Sequence, residues 1–391
     1  MKLFVTGDNH IGRKFDKYSI KNLLVESRFT CLKDMIETAE KEQCEFFVIT
    51  GDLFDNTYAI TKKDVKRVVE ILAGFNQNVL VLPGNHDFYS GNEQLWNDFM
   101  TMADAHSNII VLNEYQPYEF DSSDGPAAFY PAYCDSKHSD TNRLDWIKEE
   151  NIDGVSKYNI GIAHGALEGL AIDTEGAYFP MTRTELDSIP MDVWLLGHAH
   201  VTEPAIPANE EKTGYTIFNA GTHEQLDLHN NTEGNAFVIT LQNNDGIKKI
   251  LAKRVVTGRI RYYDEKLAFN ATDNKSLEKT IEELVKDYSS NSIVRLTISG
   301  SIDASEYQKK EAIYEAQLSR FLDHMILLRR LIWLSLHDIC CKTIHAHRLP
   351  DWQISLTILF PTALILFWRI LALPLNSCKK RSACKRQSVT F

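Results

Sequence analysis

The chain has 391 residues, with 42 Lys and Arg against 53 Asp and Glu, and a formal charge of −11. That length predicts about two or three domains, because domains usually run to roughly 100–200 residues. At 44% hydrophobic and 24% charged residues, the composition excludes a collagen-like, disulfide-scaffold or wholly disordered protein, and the acidic total excludes one that coats nucleic acid through basic charge all over.

The chain opens on a short apolar run, Lys2–Thr6, too short for a signal-peptide core. It leads directly into Gly7-Asp8-Asn9-His10. Phe29, Leu32, Ile36 and Ala39 then share one face of a helix predicted over 28–42. A second run, Glu45–Thr50, ends in Gly51-Asp52. Val65, Val68, Val69 and Leu72 predict a helix over 61–73, with Gly74 as its cap. Asn78–Leu82 ends in Pro83-Gly84-Asn85-His86-Asp87, and Leu95, Phe99 and Met102 mark a third helix. Asn159–Ala163 leads into His164-Gly165, and Asp192–Leu196 into Gly197-His198-Ala199-His200. Short β-branched and aromatic runs closed by Gly or Pro are expected to be buried strands. Strand–helix alternation predicts an α/β sheet covered on both faces. Such sheets bind ligands beyond the carboxyl ends of their strands, which is where all five motifs fall.

From Gly214 the pattern changes. Tyr215–Asn219 and Ala236–Leu241 are expected to close the sheet. Residues 258–322 predict a small α+β unit with a helix Leu277–Tyr288, a strand Ile293–Ser299 and a polar helix Ala304–Leu322. The expected organisation is a first domain over 1–257, a second over 258–323 and a tail over 324–391.

The tail differs in character. It holds ten basic and two acidic residues, a net of +8, which leaves −19 for residues 1–323. It also holds four of the seven cysteines, and Trp352–Trp368 is uncharged with Pro361 at its middle. The expectation is a non-native end, such as a translated frameshift, ahead of a membrane anchor or a partner-binding arm. Cys340-Cys341 with His345 and His347 fits no ordinary zinc framework. In the body, Cys31, Cys44 and Cys134 are isolated, which predicts packed thiols and a cytoplasmic, reducing setting.

The strand-end side chains are Asp8, His10, Asp52, Asn85, His86, Asp87, His164, His198 and His200. Carboxylates and imidazoles suit Mn²⁺, Fe²⁺ or Zn²⁺, and the absence of thiolates argues against a structural zinc site. The set is large enough for two ions bridged by one carboxylate, an arrangement that clamps a phosphoryl group and activates water. Arg13, Lys14, Lys17, Tyr18 and Lys21 crowd the loop after the first motif. They suit a phosphodiester backbone, or simply a solvated loop. Asp55 has two readings, a site residue or a turn cap.

Together, Asp8-x-His10, Gly51-Asp52-x-x-Asp55, Gly84-Asn85-His86-Asp87, His164 and Gly197-His198-x-His200 resemble the five-block signature of the calcineurin-like metallophosphoesterases. Within that superfamily the chain is most similar to the DNA-repair nuclease branch of the bacterial SbcD type. His10-Ile11-Gly12, the segment Asn219–Glu224 followed by Glu233–Phe237, and the position of 258–322 carry that similarity. Asn56-Thr57 stands where the protein phosphatase branch has Arg-Gly.

The resemblance implies a two-sheet sandwich flanked by helices, with a small α+β capping domain. It implies that Asp8, His10, Asp52 and His200 hold one divalent ion, and that Asp52, Asn85, His164 and His198 hold the other. His86 would act on the transition state or leaving oxygen, with Asp87 orienting it. The implied ions are Mn²⁺, with Fe²⁺ or Zn²⁺ as alternatives. The implied partners are DNA, an SbcC-like coiled-coil ATPase and a second copy of the chain, with no membrane. Two rival functions stay open: hydrolysis of small phosphodiesters or nucleotides, and a non-catalytic phosphate-binding scaffold.

Overall fold

The computed structural model describes residues 1–334, apart from 153–156, 171–172, 174–175, 245–246 and 271–274. A first strand–helix run comprises β1 (Lys2–Thr6), α1 (Lys21–Lys41), β2 (Phe46–Ile49), α2 (Lys62–Leu72), β3 (Asn78–Val81), α3 (Gln94–Ala103) and β4 (Ile109–Val111). A second comprises β5 (Tyr118–Ser122), β6 (Gly125–Ala132), α4 (Asp145–Glu149), β7 (Tyr158–His164), α5 (Arg183–Asp187), β8 (Val193–Gly197), β9 (Glu211–Thr213) and β10 (Ile217–Asn219). The hairpin β11 (Asn235–Asn244) and β12 (Ile247–Val256) follows. The last part is β13 (Arg261–Phe269), α6 (Leu277–Val285), β14 (Ser292–Asp303), α7 (Ala304–Leu318) and β15 (Asp323–Leu334).

The strands make two large sheets, where alternation alone predicted one. The first has the order β4-β3-β2-β1-β11-β12-β9, and the second β10-β8-β7-β6-β5. β1 to β4 are parallel, and β11 returns antiparallel beside β1, with Lys2 opposite Thr240. Leu3, Val5, Val48 and Leu80 of one sheet share a core with Phe129, Ile160, Ile162 and Leu195 of the other. On the outer face of the first sheet, Phe4, Phe47 and Val79 meet Leu32, Val68 and Phe99 of α1, α2 and α3. On the outer face of the second, Tyr130, Trp194 and Leu196 meet Ile147 and Leu186 of α4 and α5. The result is a mixed α/β sandwich flanked by helices. Periodicity shows that a strand is buried on both faces, but not which strands share a sheet.

Local signals place the helices. Thr61 caps α2 by accepting the N–H of Asp64, and the helix buries Val65, Val68, Val69 and Leu72. Gly74 does not take the left-handed conformation expected of a cap, because the helix already closes at a right-handed Ala73. Cys31, Cys44 and Cys134 are buried free thiols.

The last part is a β-α-β-α-β unit in which β13, β14 and β15 are all parallel. Ser276 and Asp303 cap α6 and α7. Leu277, Ile281, Val285, Leu296, Ile298 and Leu318 form its core. The expected bounds shift here: the first helix stops at Val285 rather than 288, and the strand expected over 293–299 runs on to Asp303. The polar helix stops at Leu318 rather than 322, and β15 carries the sheet past 323 to Leu334. The boundary drawn at 323 therefore falls where a strand begins, because its apolar run gave no sign of a pairing partner. Phe15, Leu24, Ile260, Tyr262 and Ile293 pack this unit onto the sandwich. Residues Met1–Ser335 form one compact unit. The uncharged run 352–368 and the Cys340–His347 cluster lie outside the described residues. Among the described residues no helix is long and apolar enough to cross a membrane.

Candidate metal centre

All five motifs meet at one edge, three from the ends of β1, β2 and β3 and two from β7 and β8. The loops after β1 and β2 run side by side. Asp8 N–H donates to Gly51 O at 3.0 Å, and His10 N–H to Asp52 O at 2.9 Å. Four of the nine motif residues have left-handed backbone: Asp8 at φ 49°, His10 at 44°, Asp52 at 52° and His198 at 97°. That conformation is rare outside glycine and costs about 1–3 kcal/mol per residue. Neighbouring glycines leave the room. A Cβ on Gly51 would lie 2.1 Å from His164 Nδ1, and one on Gly197 2.1 Å from Thr50 O.

The donor atoms form two groups that share an oxygen. In the first, His10 Nε2 and His200 Nε2 are 3.2 Å apart, and His200 Nε2 is 3.9 Å from Asp8 Oδ1. In the second, Asn85 Oδ1 lies 3.0 Å from both His164 Nε2 and His198 Nδ1. Asp52 Oδ2 stands between, 3.9 Å from His10 Nε2 and 3.4 Å from His164 Nε2. Its other oxygen accepts the backbone N–H of His86 at 2.8 Å. His164 Nδ1 faces the Thr50 carbonyl at 2.8 Å, so it donates there and leaves Nε2 with a lone pair when the ring is neutral.

The electrostatics are those of a buried, crowded cluster of carboxylates and imidazoles. Burial raises Asp8 well above the usual carboxylate range. Burial also opposes ionisation of Asp52, but His164, by its charge and hydrogen bond, and then His10 and His86 outweigh it and hold Asp52 low. Burial likewise opposes protonation of His164, yet Asp52 and Asp8 bring it up to about 9. Burial, then a neighbouring imidazole, pushes His198 down to about 4 and His200 down to about 3. Both rings are thus neutral near pH 7, the form that binds metal. His10 Nδ1 is buried with no hydrogen-bond partner among the described residues, although the Asp55 carboxylate is 3.3 Å away. Buried carboxylates, an amide oxygen and four imidazoles converging in this way are a donor set for divalent ions.

His86 and Asp87 part company. The His86 ring meets His10 edge-on, and its Nδ1 faces the Asp55 carbonyl at 2.9 Å. Asp87 was expected to orient His86. Its oxygens instead accept the backbone N–H of Phe54 at 2.9 Å and of Gly84 at 2.7 Å, tying two site loops together. Burial and the nearby Asp52 push Asp87 up to about 7. Asp55, read as site residue or turn cap, stands beside both His10 and His86.

The basic loop lies at the rim. Arg13 is 3.7 Å from both Asp55 and Asp227, and Lys14 and Lys17 are exposed. Tyr18 packs edge-on against Tyr262 of the β-α-β-α-β unit. Arg13, Lys14, Lys17, Tyr18, His229 and Arg295, with Asp16 and Asp227 among them, line a cleft of about 470 Å³. Two neighbours were missed from sequence. Tyr178 stacks on His198 with ring centroids 5.2 Å apart, and Arg28 lies beneath the first loop. No spacing pattern marks either one.

A family model described as calcineurin-like phosphoesterase matches residues 1–202. The chain is 28% identical over 207 residues to YhaO, an uncharacterized metallophosphoesterase of Bacillus subtilis, covering 49% of this chain and 47% of that protein. It is 29% identical over 126 residues to exonuclease subunit 1 of enterobacteria phage T4, covering 31% of this chain and 35% of that one. The chain thus spans less than half the length of either curated relative. A solved dimetal phosphatase from Danio rerio aligns with 66% of this chain and 96% of its own at a TM-score of 0.41 and 11% identity.

Proposed function

The chain belongs to the calcineurin-like phosphoesterase family, and from that premise we propose that it is a two-metal phosphodiesterase that cleaves DNA, a nuclease of the SbcD type working with an SbcC-like coiled-coil ATPase. The observation that carries the chemistry is Asp52 Oδ2, set between His10 and His164 so that two donor groups share one oxygen. Asp8, His10, Asp52 and His200 would hold one ion, and Asp52, Asn85, His164 and His198 the other. Bound there, two divalent ions, Mn²⁺ in our reading, would neutralise phosphate charge and supply a nucleophile at neutral pH.

The remaining work falls to this chain's side chains. His86 assists the leaving oxygen, its ring held by the Asp55 carbonyl. Arg13, Lys14 and Lys17 meet the phosphate backbone along the cleft beside the capping unit. That cleft supports DNA over a small phosphodiester, and the similarity to a phage exonuclease subunit supports it too. The proposed setting is cytoplasmic, as a dimer with the ATPase.

The test is Mn²⁺-dependent hydrolysis of linear duplex DNA beside bis-p-nitrophenyl phosphate. Cleavage of both is expected. Hydrolysis of the small ester alone would move the assignment to a small phosphodiesterase. Binding of two ions with neither reaction would leave a scaffold.

A further inference from the structure

Arg28, on α1, is only 1% exposed and stands on the buried face of that helix, one turn before Leu32. Arginine is almost never fully buried unless it is paired. Yet among the described residues it makes no ion pair. The carboxylate whose field it feels most, Glu224, is occupied elsewhere. Glu224 Oε1 accepts the Ser27 hydroxyl at 2.8 Å and the backbone N–H of Arg259 and Ile260 at 3.1 Å each. A salt bridge therefore does not explain the burial of Arg28.

What Arg28 does hold is one backbone carbonyl. Its Nε donates to Asn9 O at 2.9 Å, and its Nη2 donates to the same oxygen. Asn9 lies between Asp8 and His10, whose φ values are 49° and 44°. The carbonyl of Asn9 and the N–H of His10 belong to one peptide group. Arg28 grips one end of that peptide, and the carbonyl of Asp52 grips the other at 2.9 Å. A planar group held at both ends cannot rotate, so the direction in which His10 leaves the chain is set. Charge-assisted donors are about twice as strong as neutral ones, which suits a turn under strain.

We propose that Arg28 is a positioning residue that clamps the Asn9–His10 peptide and thereby preorganises Asp8 and His10 for the first ion. This rests on the two-ion reading of the site. Groups that orient metal ligands typically contribute about 10–100-fold to affinity.

The test measures Mn²⁺ binding to the full chain by isothermal titration calorimetry, with folding followed by circular dichroism. Arg28→Met fills the space without donors, Arg28→Lys keeps the charge but not the fork, and Glu224→Gln disturbs the same buried region without touching Asn9. The expected result is a loss of about 10–100-fold in the affinity of one ion for Arg28→Met, a smaller loss for Arg28→Lys, and wild-type binding for Glu224→Gln. Wild-type affinity in a folded Arg28→Met protein would overturn the proposal. So would an equal loss in Glu224→Gln, which would mean general softening. Should Arg28→Met fail to fold, Arg28→Lys decides in the same way. A wild-type chain that binds fewer than two ions would instead sink the two-ion reading.

Discussion

A methyl group added to Gly84 would lie 2.2 Å from Oδ1 of Asp52. The glycine that opens the Gly-Asn-His-Asp block is thus there for clearance, and the side chain it admits is the one shared by both donor groups. Gly84→Ala should therefore cost about 1–3 kcal/mol of stability, the usual penalty for overpacking. It should also weaken both ions together. Urea denaturation with metal analysis checks this, and an alanine variant that keeps both ions at wild-type affinity would contradict it.

The two donor groups should separate by mutation. His200→Ala is expected to lose one ion, Asn85→Ala the other, and Asp52→Asn both. Metal content by inductively coupled plasma mass spectrometry reads this directly. Two ions retained by the Asp52 variant would remove it as the bridge.

His86 should behave differently from every proposed ligand. His86→Ala is expected to lose about 10²–10⁴-fold in rate, the scale of acid–base assistance, while metal occupancy stays at the wild-type level. Parallel loss of metal and rate would make it a ligand. Asp87→Asn should act through stability instead. An amide has one oxygen where Asp87 uses two, so a buried N–H of Phe54 or Gly84 loses its acceptor at a cost of about 1–3 kcal/mol.

The end of the β-α-β-α-β unit offers a further check. A chain ending at Leu322 lacks β15, which pairs with β14 from Ile293 to Asp303. A chain ending at Ser335 keeps it. The shorter chain should melt lower, because β14 loses one of its two neighbours, and the longer one should retain the wild-type transition. Identical melting curves would show that β15 adds nothing.

The parts of this molecule that were legible in sequence are those where burial and chemistry coincide. β1, β2, β3, β7 and β8 are apolar on both faces and end in glycine-flanked polar residues, so strand and site announced each other. β6 did not, because Gly125-Pro126-Ala127-Ala128 has little strand preference and owes its place to partners on both sides. β12 sets Lys248-Lys249 and Lys253-Arg254 among short apolar runs with no alternation, so its role as the antiparallel partner of β11 left a weaker trace. Within the site, residue types were legible but hydrogen bonds were not. The resemblance implied that Asp87 orients His86, but the backbone amides of Phe54 and Gly84 take its oxygens instead.

β1 lies between β2 and β11, and its antiparallel neighbour comes more than 230 residues later in the chain. As the protein is synthesised, β1 leaves the ribosome long before β11 and waits with one ladder of amides and carbonyls unpaired until Phe237 to Thr240 arrive. Pairing across such a separation is slow to form, and an open strand edge invites pairing with other chains meanwhile. A fragment restricted to residues 1–202, although it carries every motif residue, would keep that edge permanently. It should self-associate, and any ion binding lost with it would reflect a missing strand rather than a missing ligand.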